Sequence, residues 1–222
     1  MQKVPTGSGK IVYFVRHGQS IDNVSPVFQS PNTPLSEAGE QQAQSIATRL
    51  QHLQFDALMA SPWPRARQTA QAIAQTTGKE IVFSDLLTER IKPSSIDGKS
   101  WEDSEALHIY EAWEKTIYGG EGRVENGETF NDIVKRADAI LDLLKDSEHQ
   151  SLVVVTHGFF LRTILARVLL GEALTGPLLK RFQELASIEN TAITAFEYRE
   201  AYNEQAQWRL WTYNDHAHFA DN

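Results

Sequence analysis

The chain has 222 residues, a length that favours one domain with insertions over two domains, because a typical domain has roughly 150 residues. Apolar residues make up 41% and charged residues 23% of the chain, which is close to the composition of folded proteins and excludes disorder and fibrous repeats. A formal charge of −8 argues against nucleic acid as a partner, and the absence of cysteine excludes disulfides, thiolate nucleophiles and cysteine-based metal sites.

The first apolar run of the chain covers residues 11–15 and is followed at once by Arg16 and His17. This run is too short for the apolar core of a secretory signal. No other stretch approaches the ~18 consecutive apolar residues that are needed to span a bilayer. We therefore expect a cytoplasmic protein that makes no contact with membranes, and we interpret the run as a buried strand.

Short apolar runs then alternate with longer amphipathic stretches. The first predicted helix has Thr33 or Ser36 as its candidate N-cap, and Gly78 is predicted to end the second helix. In chain order, the predicted elements are strand 11–15, helix 35–53, strand 57–60, helix 65–77, strand 81–83, helix 131–145, strand 152–155, helix 159–170, and a closing pair of strands at 193–198 and 208–213.

Strands that alternate with helices predict a three-layer α/β/α sandwich around a mainly parallel central sheet, with the last strand antiparallel at an edge. Residues 90–127 do not fit this rhythm, because they contain Pro93, Trp101, Trp113 and several glycines but no strand pattern. We interpret them as a partly helical excursion that covers one end of the sheet and the active site. The whole chain, 1–222, is expected to form a single domain.

Polar residues follow four of the predicted strands. Ligands of parallel sheets bind at the carboxyl ends of the strands, so these residues are expected to meet at one mouth. In chain order they are Arg16, His17 and Asn23 after the first strand, Ser61 and Arg65 after the second, Glu89 and Arg90 after the third, and His157 and Gly158 after strand 152–155.

This combination of residue types predicts phosphoryl chemistry. The planar guanidinium groups of Arg16 and Arg65 match phosphate oxygens. A neutral imidazole at His17 can attack phosphorus and carry the phosphoryl group. His157 can donate a hydrogen bond to the non-bridging oxygens and so support charge in the transition state. We therefore predict an anion-binding pocket with a histidine nucleophile.

A leaving alkoxide is strongly basic, so the reaction needs a proton donor. Glu89 is the preferred candidate, and Glu128 at the front of a predicted helix is the alternative. Arginines and imidazoles supply the positive charge that Mg²⁺ supplies in other phosphoryl-transfer enzymes. No metal site and no cofactor is therefore expected.

An ordered set of motifs resembles the histidine phosphatase superfamily, which contains cofactor-dependent phosphoglycerate mutases and many phosphatases. The similarity covers roughly residues 10–200, and the order of the motifs makes it specific. The matching segments are Arg16-His17-Gly18-Gln19-Ser20-Ile21-Asp22-Asn23, Pro34-Leu35-Ser36 with Gly39 and Gln42-Ala43, Ser61-Pro62-Trp63-Pro64-Arg65-Ala66-Arg67-Gln68-Thr69-Ala70, Leu87-Thr88-Glu89-Arg90, Gly127-Glu128-Thr129 and Thr156-His157-Gly158.

The resemblance implies a phosphoglycerate mutase-like fold. It also implies a small phosphate monoester as substrate, and inorganic phosphate as product. By that resemblance His17 is the phosphorylated nucleophile and Glu89 is the proton donor. The remaining pocket residues that it implies are Arg16, Arg65 and His157 around the phosphate, with Asn23 lining the pocket.

Two departures favour the phosphatase branch. Phe159 and Phe160 follow the second His-Gly pair where the mutases have Asn-Ser, so apolar surface replaces polar substrate contacts. The mutases also have a longer chain that closes over the substrate. Arg90, Gly158 and Phe159 are expected to contact the substrate. A phosphoglycerate mutase-like phosphotransferase and a catalytically silent phospho-ligand binding module remain as alternatives.

Overall fold

The computed structural model describes residues 9–199 and 207–219. Within them the strands form one sheet of six, in the order β3-β2-β4-β1-β5-β6. In chain order the elements are β1 (Lys10–Arg16), α1 (Glu37–Leu50), β2 (Ala57–Ala60), α2 (Pro64–Thr77), β3 (Ile81–Phe83), α3 (Ser104–Ile117), α4 (Phe130–Asp146), β4 (Ser151–Thr156), α5 (Gly158–Leu170), α6 (Gly176–Leu185), β5 (Ile193–Arg199) and β6 (Gln207–Asp215).

The direction of the strands confirms the predicted mainly parallel sheet with its last strand paired antiparallel at an edge. Strands β3, β2, β4 and β1 are parallel neighbours. Strand β5 pairs antiparallel with β1, and β6 pairs antiparallel with β5. Strand β5 therefore lies between β1 and β6, and the last strand, β6, forms the edge of the sheet with antiparallel pairing to β5.

Helices cover both faces of the sheet, which confirms the three-layer α/β/α sandwich. Alternate residues of a strand point to opposite faces. Val12 and Phe14 of β1 accordingly join a core cluster with α3, α4, α5 and α6. Val15 joins a second cluster with α1 and α2 on the other face. Strand β4, between β2 and β1, is buried on both faces, as its β-branched run predicts.

The helix ends follow from capping residues. Ser36, and not Thr33, is the N-cap of α1, because its hydroxyl accepts a hydrogen bond from Gly39 N at 3.1 Å. Helix α1 ends at Leu50, three residues before the predicted end at residue 53. Gly78 ends α2 with φ of 71°, a left-handed conformation that suits glycine.

Two helices lie where the sequence predicted no defined helix. Helix α3 belongs to the segment 90–127, and its Trp113 is fully buried with Nε1 donating to the carbonyl of Glu128 at 2.8 Å. Helix α6 begins at Gly176, where a Cβ would overlap the carbonyl oxygen of Tyr118. Across residues 9–199 and 207–219, no helix combines the length and hydropathy that a bilayer crossing requires.

Candidate active site

The register of the parallel strands brings the two candidate histidines side by side. Arg16 at the end of β1 pairs with Thr156 at the end of β4, and the backbone N–H of His17 donates to the Thr156 carbonyl at 2.9 Å. The ring centroids of His17 and His157 are 5.0 Å apart. Because both rings leave neighbouring strands at the same level, residues far apart in the chain share one site.

The hydrogen bonds of His17 identify its tautomer. Nδ1 lies 2.6 Å from the carbonyl oxygen of Gly18, which can only accept, so Nδ1 carries the proton. Nε2 accepts a hydrogen bond from Nε of Arg65 at 3.2 Å. Burial, with the nearby Arg65 and Arg16 guanidinium groups, lowers the pKa of His17 well below its ordinary 6.5. His17 is therefore a neutral imidazole with its lone pair on Nε2.

His157 is fully buried and has one nitrogen without a partner. Its Nε2 lies 2.8 Å from the hydroxyl oxygen of Ser61, which also accepts a hydrogen bond from Trp63 N at 3.3 Å. The Ser61 hydroxyl has one hydrogen to donate, and when it donates to Nε2 the imidazole proton lies on Nδ1. That Nδ1 is buried and makes no hydrogen bond within the described residues. Unsatisfied buried donors are rare in native structures, and this one matches an acceptor atom of a bound anion.

Four arginines, Arg16, Arg65, Arg90 and Arg162, line one cavity with these histidines beneath it, and none forms an ion pair with a carboxylate in the described part of the chain. Nε of Arg16 is buried without a partner, while its Nη1 donates to the carbonyl of Ile188 at 2.6 Å. Burial lowers the pKa of Arg65 to about 10. Five cationic side chains line the cavity against the two carboxylates of Asp22 and Glu89. Buried positive charge in excess is costly, so this cavity is suited to an anion.

Glu89 lies in the same cavity, at the start of α5. Its carboxylate accepts hydrogen bonds from the backbone N–H groups of Phe159 at 3.1 Å and Phe160 at 2.9 Å, and from Arg90 N at 3.0 Å. The amino end of a helix presents free N–H groups and a positive dipole, which explains why a carboxylate is held there. Glu89 therefore has a fixed position beside the arginines.

Glu128, the alternative proton donor, lies elsewhere. It forms an ion pair with Arg136 at 2.7 Å and accepts from Ile91 N at 2.8 Å. Arg136 also donates to the carbonyls of Thr88 at 2.7 Å and Glu89 at 3.2 Å. Glu128 does not line the cavity. Its contacts are those of a residue that ties α4 to the segment after β3.

The cavity has a volume of about 580 Å³. Among its lining residues are the predicted Asn23, Gly158, Arg90 and Phe159. The Arg90 guanidinium lies 4.3 Å from the centre of the Phe159 ring, and Asn23 Oδ1 accepts from Ser20 N at 2.9 Å. The other lining residues are Arg16, Asp22, Val27, Phe28, Gln29, Trp63, Arg65, Glu89, Lys92, Trp101, Leu107, Tyr110 and Arg162.

Arg162 and Asn190 are among the residues of this site that sequence reasoning missed. Arg162 lies one helical turn after Gly158, a spacing that could have placed it on the same side of the predicted helix. Its Nε donates to Oε1 of Gln183 at 2.6 Å, which holds the guanidinium at the cavity. Asn190 precedes β5 and donates from Nδ2 to the carbonyl of His17 at 2.8 Å, a contact without any local sequence signal.

In the described part of the chain, no group of three His, Asp or Glu side chains lies close enough to hold a metal ion. Two kinds of partner are available in the cavity instead. Guanidinium groups and unpaired imidazole N–H can bind phosphate oxygens, and the Nε2 lone pair of His17 can act as a nucleophile.

Known proteins resemble this chain in both sequence and structure. A sequence model of the histidine phosphatase superfamily (branch 1) matches residues 12–214. The probable phosphoglycerate mutase GpmB of Escherichia coli is 29% identical over 215 residues, which cover 93% of this chain and 94% of that protein.

Solved structures of phosphatases have the same fold. A mutant phosphoserine phosphatase from Entamoeba histolytica in complex with phosphoserine is 26% identical, with a TM-score of 0.73 over 94% of this chain and 98% of that chain. The mycobacterial glucosyl-3-phosphoglycerate phosphatase in complex with VO3 is 23% identical, with a TM-score of 0.72 over 93% of this chain and 99% of that chain. The similarity to the mycobacterial phosphatase, at 23% identity, is evidence for the fold alone.

Proposed function

The chain belongs to the histidine phosphatase superfamily (branch 1), and from this premise we propose that it is a metal-independent phosphomonoesterase that acts through a phosphohistidine on His17. The observation that carries the proposal is the state of this ring. His17 is neutral, its proton is held on Nδ1 by the Gly18 carbonyl, and its Nε2 lone pair lies against the Arg65 guanidinium. When a phosphoryl oxygen accepts the hydrogen bond from Nε of Arg65 in place of His17, the phosphorus lies next to Nε2 of His17.

In the first step Arg16, Arg65 and the Nδ1–H of His157 bind the non-bridging oxygens. Nε2 of His17 then attacks phosphorus, a nitrogen–phosphorus bond forms, and the bond from phosphorus to the ester oxygen breaks. Glu89 donates a proton to that oxygen, so the product leaves as an alcohol. The charge that develops on the phosphoryl oxygens meets fixed donors in a site that excludes most water.

In the second step Glu89, now a carboxylate, takes a proton from a water molecule. The water oxygen attacks phosphorus, the nitrogen–phosphorus bond breaks, and inorganic phosphate leaves with His17 neutral again. Three backbone N–H groups hold the Glu89 carboxyl group in one position for both halves of the cycle.

Hydrolysis is favoured over a mutase reaction because Phe159 presents a ring to the cavity, under the Arg90 guanidinium. The probable mutase among the relatives keeps the phosphotransferase as the alternative. Release of phosphate to water, measured against its transfer to 3-phosphoglycerate, separates the two activities. A catalytically silent binding module would bind phosphate and release none from any ester. The substrate is proposed to be a small phosphate monoester and the location to be the cytoplasm.

The covalent intermediate is tested by labelling. Purified protein is mixed with a ³²P-labelled aryl phosphate in excess EDTA and quenched in base. We expect turnover without added metal and a base-stable, acid-labile label that is absent from His17→Ala. His52→Ala, which removes an exposed histidine, is the matched control and should keep the label. A label retained in His17→Ala, or activity only with added divalent metal, would contradict the proposal.

The proton donor is tested with leaving groups of different basicity. Glu89→Gln should slow an alkyl phosphate by about two to three orders of magnitude, because an alkoxide needs the proton, and should slow an aryl phosphate much less. Glu111→Gln removes an exposed carboxylate of α3 and serves as the control. Equal losses on both esters would mean that another group donates the proton.

A further inference from the structure

A large apolar side chain is exposed at the mouth of the catalytic cavity. Trp101 lines the cavity with 55% of its surface accessible, and its ring has no aromatic or cationic partner in the described part of the chain. An exposed indole ring in a cavity wall offers a large flat apolar surface to a ligand. In the described part of the chain, no arginine of the phosphate-binding set makes a cation–π contact with this ring.

The loop that carries Trp101 is held in one position. The backbone N–H of Trp101 donates to the carbonyl of Pro26 at 3.0 Å, and Val27 forms a β-bridge with Ser100. Phe28 N donates to the Lys99 carbonyl at 2.9 Å, two residues before Trp101. These bonds join residues 26–28 to residues 98–101, so the backbone position of Trp101 is set before a ligand arrives. A fixed contact surface loses little conformational entropy on binding.

Other apolar residues continue the wall that Trp101 begins. Val27, Phe28, Leu107 and Tyr110 line the same cavity, and the rings of Phe28 and Tyr110 have their centres 5.0 Å apart. These residues come from loop 26–28 and from α3. The phosphate-binding groups come from the ends of β1 and β4 and the starts of α2 and α5. The cavity therefore combines a cationic set with an apolar wall, and the two meet where Nη2 of Arg90 donates to the Tyr110 hydroxyl at 3.2 Å.

The volume of the cavity also indicates a substrate that is larger than inorganic phosphate. About 580 Å³ lies in the range of pockets that hold drug-sized ligands. If the cationic set binds the phosphoryl group, the remaining space is for the leaving group. An apolar wall with a free indole face is suited to a flat, uncharged, aromatic leaving group.

We propose that Trp101, Val27, Phe28, Leu107 and Tyr110 form a leaving-group subsite, and that the substrate is a small organic phosphate monoester with an aromatic or similarly flat apolar alcohol portion. This inference rests on the proposed phosphatase function. Trp101 is its specificity-determining residue. The subsite acts on the leaving group alone and takes no part in the transfer of the phosphoryl group.

The test compares two aryl phosphates that differ in apolar surface but have leaving groups of similar acidity, phenyl phosphate and biphenyl-4-yl phosphate. The wild-type protein should prefer the biphenyl ester in kcat/KM. Trp101→Ala should lower that preference by about tenfold, the ratio that corresponds to a lost aromatic contact. Trp101→Phe should keep most of it. In Trp101→Ala, kcat/KM should fall less on phenyl phosphate than on the biphenyl ester, because the smaller ring covers less of the indole face. Trp211→Ala is the matched control, because Trp211 on β6 is 57% exposed and does not line the cavity.

Binding of phenylphosphonate and biphenyl-4-ylphosphonate, which cannot be hydrolysed, is measured in parallel by calorimetry. If the wild type hydrolyses neither ester but binds the biphenyl compound more tightly through Trp101, the subsite stands and the proposed function fails. If phenyl phosphate is hydrolysed and Trp101→Ala leaves the preference unchanged, the subsite is overturned and the proposed function stands. A phosphotyrosine peptide that alone responds to Trp101→Ala would assign the wall to a protein substrate, and would also overturn the inference.

Discussion

Removal of the Ser61 hydroxyl tests how His157 is prepared for its proposed role. Ser61 is fully buried, and its hydroxyl lies 2.8 Å from Nε2 of His157. In Ser61→Ala that buried nitrogen has no hydrogen-bond partner. The proton is then free to move to Nε2, and Nδ1 would present a lone pair to the phosphoryl oxygens in place of a donor.

The magnitude follows from these contacts. An unsatisfied buried nitrogen should lower the free energy of unfolding by about 1–3 kcal/mol. Loss of one fixed donor to the developing charge should lower kcat by about 10²–10³-fold. The kinetic loss should be larger than the stability loss, because the donor acts mainly in the transition state.

The assay is kcat on an aryl phosphate, with urea unfolding measured on the same samples. The tautomer of His157 is read from ¹⁵N chemical shifts of histidine-labelled protein, which separate the protonated from the unprotonated nitrogen. Ser61→Thr restores a hydroxyl and should recover much of kcat. Ser45→Ala removes a hydroxyl that bonds only the carbonyl of Gln41 in its own helix, and should change neither quantity.

Two results would contradict the proposed role of the Ser61 hydroxyl. If Ser61→Ala is less stable but keeps the wild-type kcat, the hydroxyl has a structural role only. A loss of kcat with the proton still on Nδ1 of His157 would likewise mean that Ser61 does not act through the tautomer.

Three further predictions concern stability. Burial lowers the pKa values of His17 and His157 well below 6.5, so on acidification the unfolded chain takes up protons that the folded chain does not. The free energy of unfolding should therefore be lower at about pH 5.5 than at about pH 7.5. Equal urea midpoints at the two pH values would contradict this. Lys10→Met should cost about 1–3 kcal/mol in urea unfolding without loss of kcat, because Nζ of Lys10 donates to three carbonyls at the end of α4, and an unchanged midpoint would show that water replaces it. Gly39→Ala should lower the melting temperature and kcat together, because a Cβ there overlaps the carbonyl oxygen of Gln19, two residues after His17; a loss of stability alone would mean that the strain does not reach the ring.

Most of the sheet could be predicted from local patterns. The run at β4 is β-branched throughout and reads as a strand buried on both faces, and Gly78 ends α2 as glycine usually does. Helix α6 escaped prediction because it is short and starts with a glycine that is required by close packing on Tyr118.

The sequence by itself determined which residue types form the site and in which order they occur. A polar residue directly after a buried parallel strand lies at the edge of the sheet where the carboxyl ends of the strands meet. Only the tertiary structure decided which nitrogen of His17 and His157 is free, since that depends on partners from other segments, Gly18 and Arg65 for one ring and Ser61 for the other. Burial, which sets the pKa of both rings, is likewise a property of the packed molecule and not of any local stretch of chain.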